Sequence, residues 1–234
     1  MSPIVDDPAV TTADYSSSMA EATSAQDRTK PLLRGVLHEV GFYLALAAGA
    51  VLLFRARGAE ALTAAAVYSA CLCALLGTSA LYHRRTWSPP AREQMRRLDH
   101  SAIFVLIAGT FTPMCLLLGE RRGLALGLVW GVALLGVLRA VFWVRAPKPV
   151  VALLCVAFGW GAAFLFGDIR AAAGALGLNL VIAGGLIYCA GAAVYALRRP
   201  DPFPRVFGYH EIFHAFVVAG TVVHFTLIAA YVIN

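Results

Sequence analysis

The chain has 234 residues, is 60% hydrophobic and only 14% charged, and has a mean hydropathy of +0.74. A soluble globular chain carries about 25% charged residues, so this composition excludes that class and marks an integral membrane protein. The formal net charge of +6 lies mostly in short connections between apolar runs, which assigns it to topology and lipid headgroups and argues against a nucleic-acid partner.

Residues 1–30 read as a polar, disordered tail without the apolar core of a signal peptide. Residues 31–234 read as a single all-α membrane domain. At about 20 apolar residues per span, the expected helices lie near 36–54, 61–83, 99–118, 123–143, 150–167, 174–197 and 211–233. Lys and Arg concentrate in the tail (Arg28, Lys30, Arg34), the second connection (Arg84, Arg85, Arg92, Arg96, Arg97), the fourth (Arg139, Arg145, Lys148) and the sixth (Arg198, Arg199, Arg205). The alternate connections hold Arg55, Arg57, Arg121, Arg122 and Arg170. The positive-inside rule then places the N-terminus in the cytoplasm and the C-terminus outside. The expected setting is a membrane, crossed several times by the chain.

Glycines within the fourth and sixth segments predict close helix packing, and Pro113 predicts a kink in the third, where the Thr112 hydroxyl is expected to satisfy a freed carbonyl. Cys71, Cys73, Cys115, Cys155 and Cys189 all fall inside apolar runs without a C-x-x-C spacing. They read as small packing residues, neither disulfide-bonded nor metal-ligating.

Against this background, Ser79, His83, Asp99, His210 and His214 stand out, because ionisable groups in membrane segments are costly and therefore functional by default. Topology puts all five at cytoplasmic helix ends: S-A-L-Y-H closes the second segment, L-D-H opens the third, and H-E-I-F-H opens the seventh. Ser79/His83 and His210/His214 are i,i+4 pairs, each on one helix face with about 6 Å of rise between members. One such residue reads as an interfacial group; two pairs and an aspartate on one leaflet read as a metal site. Two imidazoles one turn apart plus a third from a neighbouring helix form a His₃ set suited to Zn²⁺, with water in the fourth position. Asp99 either ligates or serves as general base, and Ser79 supports it.

H-E-I-F-H also fits H-E-x-x-H, which would make Glu211 the base of an intramembrane metalloprotease. His38 and Glu39 read as an interfacial start of the first helix. His100 points about 100° from Asp99, away from the metal, and His224 either hydrogen-bonds within the bundle or lines a cavity.

Four strings together carry a family resemblance: H-E-V-G-F, S-A-L-Y-H-R, R-L-D-H-S-A-I-F-V-L-I-A-G-T-F-T-P and F-G-Y-H-E-I-F-H-A-F-V-V-A-G. From about residue 31 onward the chain resembles the hemolysin III branch of the progestin and adiponectin receptor superfamily. The resemblance implies a seven-helix bundle with zinc near the cytoplasmic leaflet. His83, His210 and His214 match the zinc ligands, Asp99 the acidic residue acting through zinc-bound water, and Ser79 the associated serine. Receptor members tolerate Gln where this chain has Glu211, which favours Asp99 over Glu211 as the base. The superfamily is similar to alkaline ceramidases, implying a zinc-dependent hydrolase of a lipid amide or ester with a role in membrane homeostasis and a membrane lipid as substrate. The rival expectation is a non-catalytic membrane sensor with structural zinc. The short loops contain no secreted cytolysin-like module.

Overall fold

The computed structural model describes residues 30–231; the expectation of a polar tail falls almost wholly outside them. Among the described residues the fold is all-helical: α1 Val36–Arg55, α2 Gly58–Arg84, α3 Pro89–Leu116, α4 Arg122–Phe142, α5 Lys148–Gly161, α6 Phe166–Leu197 and α7 Tyr209–Tyr231. Consecutive helices pack together, and α7 returns to α1 to close the bundle.

Six helical stretches are long and apolar enough to cross a membrane. One of them, Lys148–Leu197, has 50 residues and contains α5, a short 3-10 turn and α6. Straight, it would measure about 75 Å at 1.5 Å per residue, far more than a bilayer core of about 30 Å. It is not straight. Gly174 adopts φ 69, ψ −174 inside α6, a conformation closed to residues with a Cβ. Beyond it the chain doubles back, so that Trp160 donates through Nε1 to Cys189 Sγ at 3.0 Å and lies against Gly185. The break falls where the sequence separates segments 150–167 and 174–197.

The third helix begins earlier than expected, at Pro89 rather than Asp99. Ser88 occupies the N-cap, with proline in the first turn, where a missing N–H costs nothing and φ is already helical. Hydropathy marks where a chain enters lipid; the helix itself starts about ten residues sooner. Asp99 therefore lies nearly three turns inside α3. Pro113 is accommodated within this helix. The Thr112 hydroxyl donates to Ala108 O at 2.8 Å and accepts from Trp130 Nε1 at 3.0 Å. The carbonyl that Pro113 leaves without its i+4 N–H is that of Gly109, so Thr112 does not play the expected part.

Two packed clusters fill the bundle, one around Phe104, Phe111, Met114, Val129, Leu165 and Leu227, the other around Leu52, Ala65, Tyr68, Leu72, Leu106 and Ile228. Helix α3 contributes to both, which makes it the central element. Small residues allow its close approach to α2: a Cβ on Gly109 would lie 2.5 Å from Cys71 Cβ. All five cysteines are free.

Candidate metal centre

Three elements bring the site together. Helix α2 carries His83 in its last turn, α7 carries His210 and His214 in its first turns, and α3, packed on α2, carries Asp99. The segment before α1 is fixed by backbone hydrogen bonds from Leu32 N to Arg205 O at 3.0 Å and Leu33 N to Val206 O at 3.1 Å. Gly35 then starts α1 at φ 81, and a Cβ there would stand 2.8 Å from His83 Cβ. Both backbone conformation and close approach require glycine at this position.

One ring nitrogen from each of His83, His210 and His214 lies within 4.8 Å of the others, a group that can hold a metal ion. His83 Nε2 and His210 Nε2 are 3.2 Å apart. Tetrahedral ligands at about 2.0–2.1 Å from a metal stand about 3.3 Å from one another, so this edge already has the required length. The rings are buried, His214 at 2% exposure, and buried neutral imidazoles are competent donors. Asp99 Oδ2 is 4.0 Å from His83 Nε2, and Ser79, one turn below His83, hydrogen-bonds the Asp99 side chain. The five residues singled out from the sequence thus meet in one place.

His38 is the residue whose position the sequence reading missed. It is enclosed in the bundle: it is 2% exposed and stacks on His214 with ring centroids 3.8 Å apart and planes within 5°. The signal was present in the pattern His38, Gly41, Ala45, Gly49, Leu52, the buried stripe of α1, whose spacing of three and four residues places His38 on the inner face. Glu39, by contrast, is at the helix start as expected and pairs with Arg84 at 2.8 Å. His100 lies outside the group of three imidazoles but lines the same cavity. His224 is buried deeper and contacts Val181 O through Nε2 at 3.2 Å.

Glu211 is committed elsewhere. Oε1 takes Arg34 Nε at 2.5 Å, and Oε2 accepts the Gly208 N–H at 2.8 Å. The second contact is half of a capping box, in which an acidic residue at N3 reaches back to the N-cap amide; Asp201 Oδ1 accepts the next amide, Tyr209 N–H, at 2.9 Å. Glu211 is absent from the cavity wall, so the general-base role required by H-E-x-x-H does not fit it.

The imidazoles and Asp99 open into a cavity of about 750 Å³. Its mouth carries Arg34, Arg92, Arg96, Arg145, Lys148 and Arg198, and its interior is lined by apolar residues including Ile103, Leu106, Phe111, Val156 and Trp160. Arg145, in the α4–α5 connection, bonds Glu93 at 2.7 Å, and this carboxylate raises the guanidinium above its ordinary pKa. Lys148 Nζ donates to the Tyr209 hydroxyl and sits over the Tyr195 ring.

The fold and site define a multi-pass integral membrane protein with a buried histidine group able to hold a metal. Over residues 26–225 the chain matches the family described as Haemolysin-III related, and it belongs to that family. It is 30% identical to Hemolysin-3 of Bacillus cereus, covering 86% of this chain and 91% of the relative. It is 28% identical to the Hemolysin-3 homolog of Bacillus subtilis (strain 168), covering 87% and 94%. Monocyte to macrophage differentiation factor of Homo sapiens is 26% identical, with 70% and 68% covered.

Proposed function

We propose that this protein is a zinc-dependent hydrolase of a lipid amide or ester acting in membrane homeostasis. The observation that carries the reading is the convergence of three imidazoles and Asp99 on a cavity that is polar at its mouth and apolar inside. An all-imidazole donor set with room for one further ligand is the pattern of catalytic rather than structural zinc. His83, His210 and His214 would hold the ion. Zinc in this position would supply Lewis acidity, polarising a carbonyl and bringing the pKa of water to about 7.

The chain's own residues supply the rest. Asp99, with Oδ2 4.0 Å from His83 Nε2, would take a proton from water beside the imidazoles and return it to the leaving group. Ser79 would support that carboxylate through its side-chain hydrogen bond. The apolar walls exclude bulk water and give an acyl chain a place to lie.

The same reading assigns seven spans. The two limbs meeting at Gly174 each cross the bilayer, the odd count puts the termini on opposite sides, and the Lys and Arg distribution sets the N-terminus in the cytoplasm. Reporter fusions at the two ends should report opposite compartments; both ends on one side would remove this topology.

The deciding experiment combines elemental analysis of protein purified without chelator with turnover of a ceramide and of acyl esters with neutral and with anionic headgroups. About one zinc per chain is expected. Asp99→Asn should retain zinc and lose turnover by about 10²- to 10⁴-fold, the usual contribution of a general base. Absence of zinc removes the reading, and zinc with no turnover of either lipid class makes the protein a non-catalytic sensor.

A further inference from the structure

Along α3, Arg92, Arg96, Asp99, Ile103, Leu106 and Thr110 all line the cavity. Their alternating spacing of four and three keeps them on one helix face, so the helix displays three chemical zones in order. Arg96 and Arg92 lie about 5 and 10 Å of helical rise to the cytoplasmic side of Asp99, and Thr110 about 16 Å beyond it. Cationic groups therefore precede the candidate reacting centre, and apolar wall follows it.

The arginines of this mouth fall into two kinds. Arg34 and Arg145 are held by Glu211 and Glu93. Among the described residues, Arg92, Arg96 and Arg198 have no carboxylate partner. Arg96 Nε is buried without a hydrogen-bond acceptor, an expense that an anionic ligand would remove. Arg198 closes α6 in the left-handed conformation, φ 56 and ψ 34, where glycine is the usual residue, and its side chain lines the cavity.

We propose that the cavity takes a lipid with a phosphate-type anionic headgroup, held by Arg92, Arg96 and Arg198, with its carbonyl beside Asp99 and its acyl chain along Ile103, Leu106 and Thr110. The proposal rests on the reading of the cavity as a lipid site and adds the class of headgroup. Guanidinium pairs phosphate in a bidentate fashion, and a neutral lipid would leave these groups unanswered.

The test measures equilibrium binding by native mass spectrometry, using zinc-loaded full-length protein in neutral detergent. The probes are oleoyl lysophosphatidic acid, the oleoyl monoacylglycerol that differs from it only by the phosphate, and glycerol 3-phosphate. Lysophosphatidic acid should bind about tenfold or more tighter than monoacylglycerol, the effect of at least one charge-assisted contact. Arg92→Gln/Arg96→Gln should bring the two lipids level with zinc content unchanged, and Arg57→Gln, at the opposite end of the bundle, should keep the preference. If the double variant is unstable, Arg92→Gln alone, at an exposed position, should still reduce the preference. Equal affinity of the two lipids in the unsubstituted protein, or a preference that survives both arginine variants, overturns the headgroup assignment and leaves the lipid cavity standing. Glycerol 3-phosphate binding as tightly as lysophosphatidic acid makes this a site for a free anion. Failure of both lipids to bind overturns the lipid reading itself.

Discussion

Helices α3 and α4 are neighbours that solve opposite problems. In α3, 67% of the membrane window is buried within the protein, and in the stretch that includes α4 only 22% is. The buried helix is the less apolar of the two: it carries Asp99, His100, Thr110, Thr112 and Pro113 on or near its inward faces. Helix α4 turns Leu124, Leu128, Leu134 and Leu135 outward. In a bilayer the lipid-facing surface must be the most apolar, because polar groups find partners only inside the bundle. High hydropathy in this chain therefore identifies what faces lipid, and a drop in hydropathy within a long helix identifies what the protein has enclosed.

The largest effect that tests this contrast lies at the enclosed centre. His83→Ala, His210→Ala and His214→Ala should each lose the metal and thermal stability together, since a ligand bound only by the folded state stabilises it by about 4 kcal/mol at a thousandfold excess over Kd. His100→Ala should keep the metal. Elemental analysis paired with thermal unfolding in detergent reads both; a metal-free His100 variant would mean that the three converging imidazoles are not the ligand set.

A middle-sized effect separates packing from lipid contact. Leu106 is 5% exposed and Leu135 65%. With lipid as apolar as leucine, there is little transfer term to lose, so Leu106→Ala should cost about 2 kcal/mol through its cavity alone, and Leu135→Ala close to nothing. Equal losses in the two variants would mean that α4 packs against a further partner in the membrane.

Much of this was legible in the sequence, for particular reasons. Span length follows from bilayer thickness, so most helix ends were placed within a few residues, the starts of α3 and α6 and the end of α5 excepted, and the Gly174 break falls where one segment ends and the next begins. The two i,i+4 pairs identified His83, His210 and His214 because helical periodicity is local. The start of α3 was misplaced because hydropathy reports lipid and Ser88-Pro89-Pro90 reports the helix. His38 was hidden because its burial depends on which face of α1 meets α7, a tertiary fact carried only by a stripe of small residues. The base role offered to Glu211 came from a five-residue pattern, and its actual partners are Arg34, at the start of the domain, and Gly208.

That last point gives the smallest predicted effect. In Glu211→Gln the amide oxygen can still accept the Gly208 N–H and keep the cap on α7. What is lost is the charge facing Arg34, whose side chain is 21% exposed and can turn toward water. A partly solvated pair of this kind contributes about 1 kcal/mol, so unfolding should shift only slightly, with zinc content and any turnover unchanged. Glu211→Ala should cost more, because it also removes the acceptor for Gly208. The ordering Ala worse than Gln, with the metal present in both, is the signature of a cap and latch. A Glu211→Gln variant that keeps its stability and its metal but loses turnover would instead make this carboxylate the general base and displace Asp99 from that role.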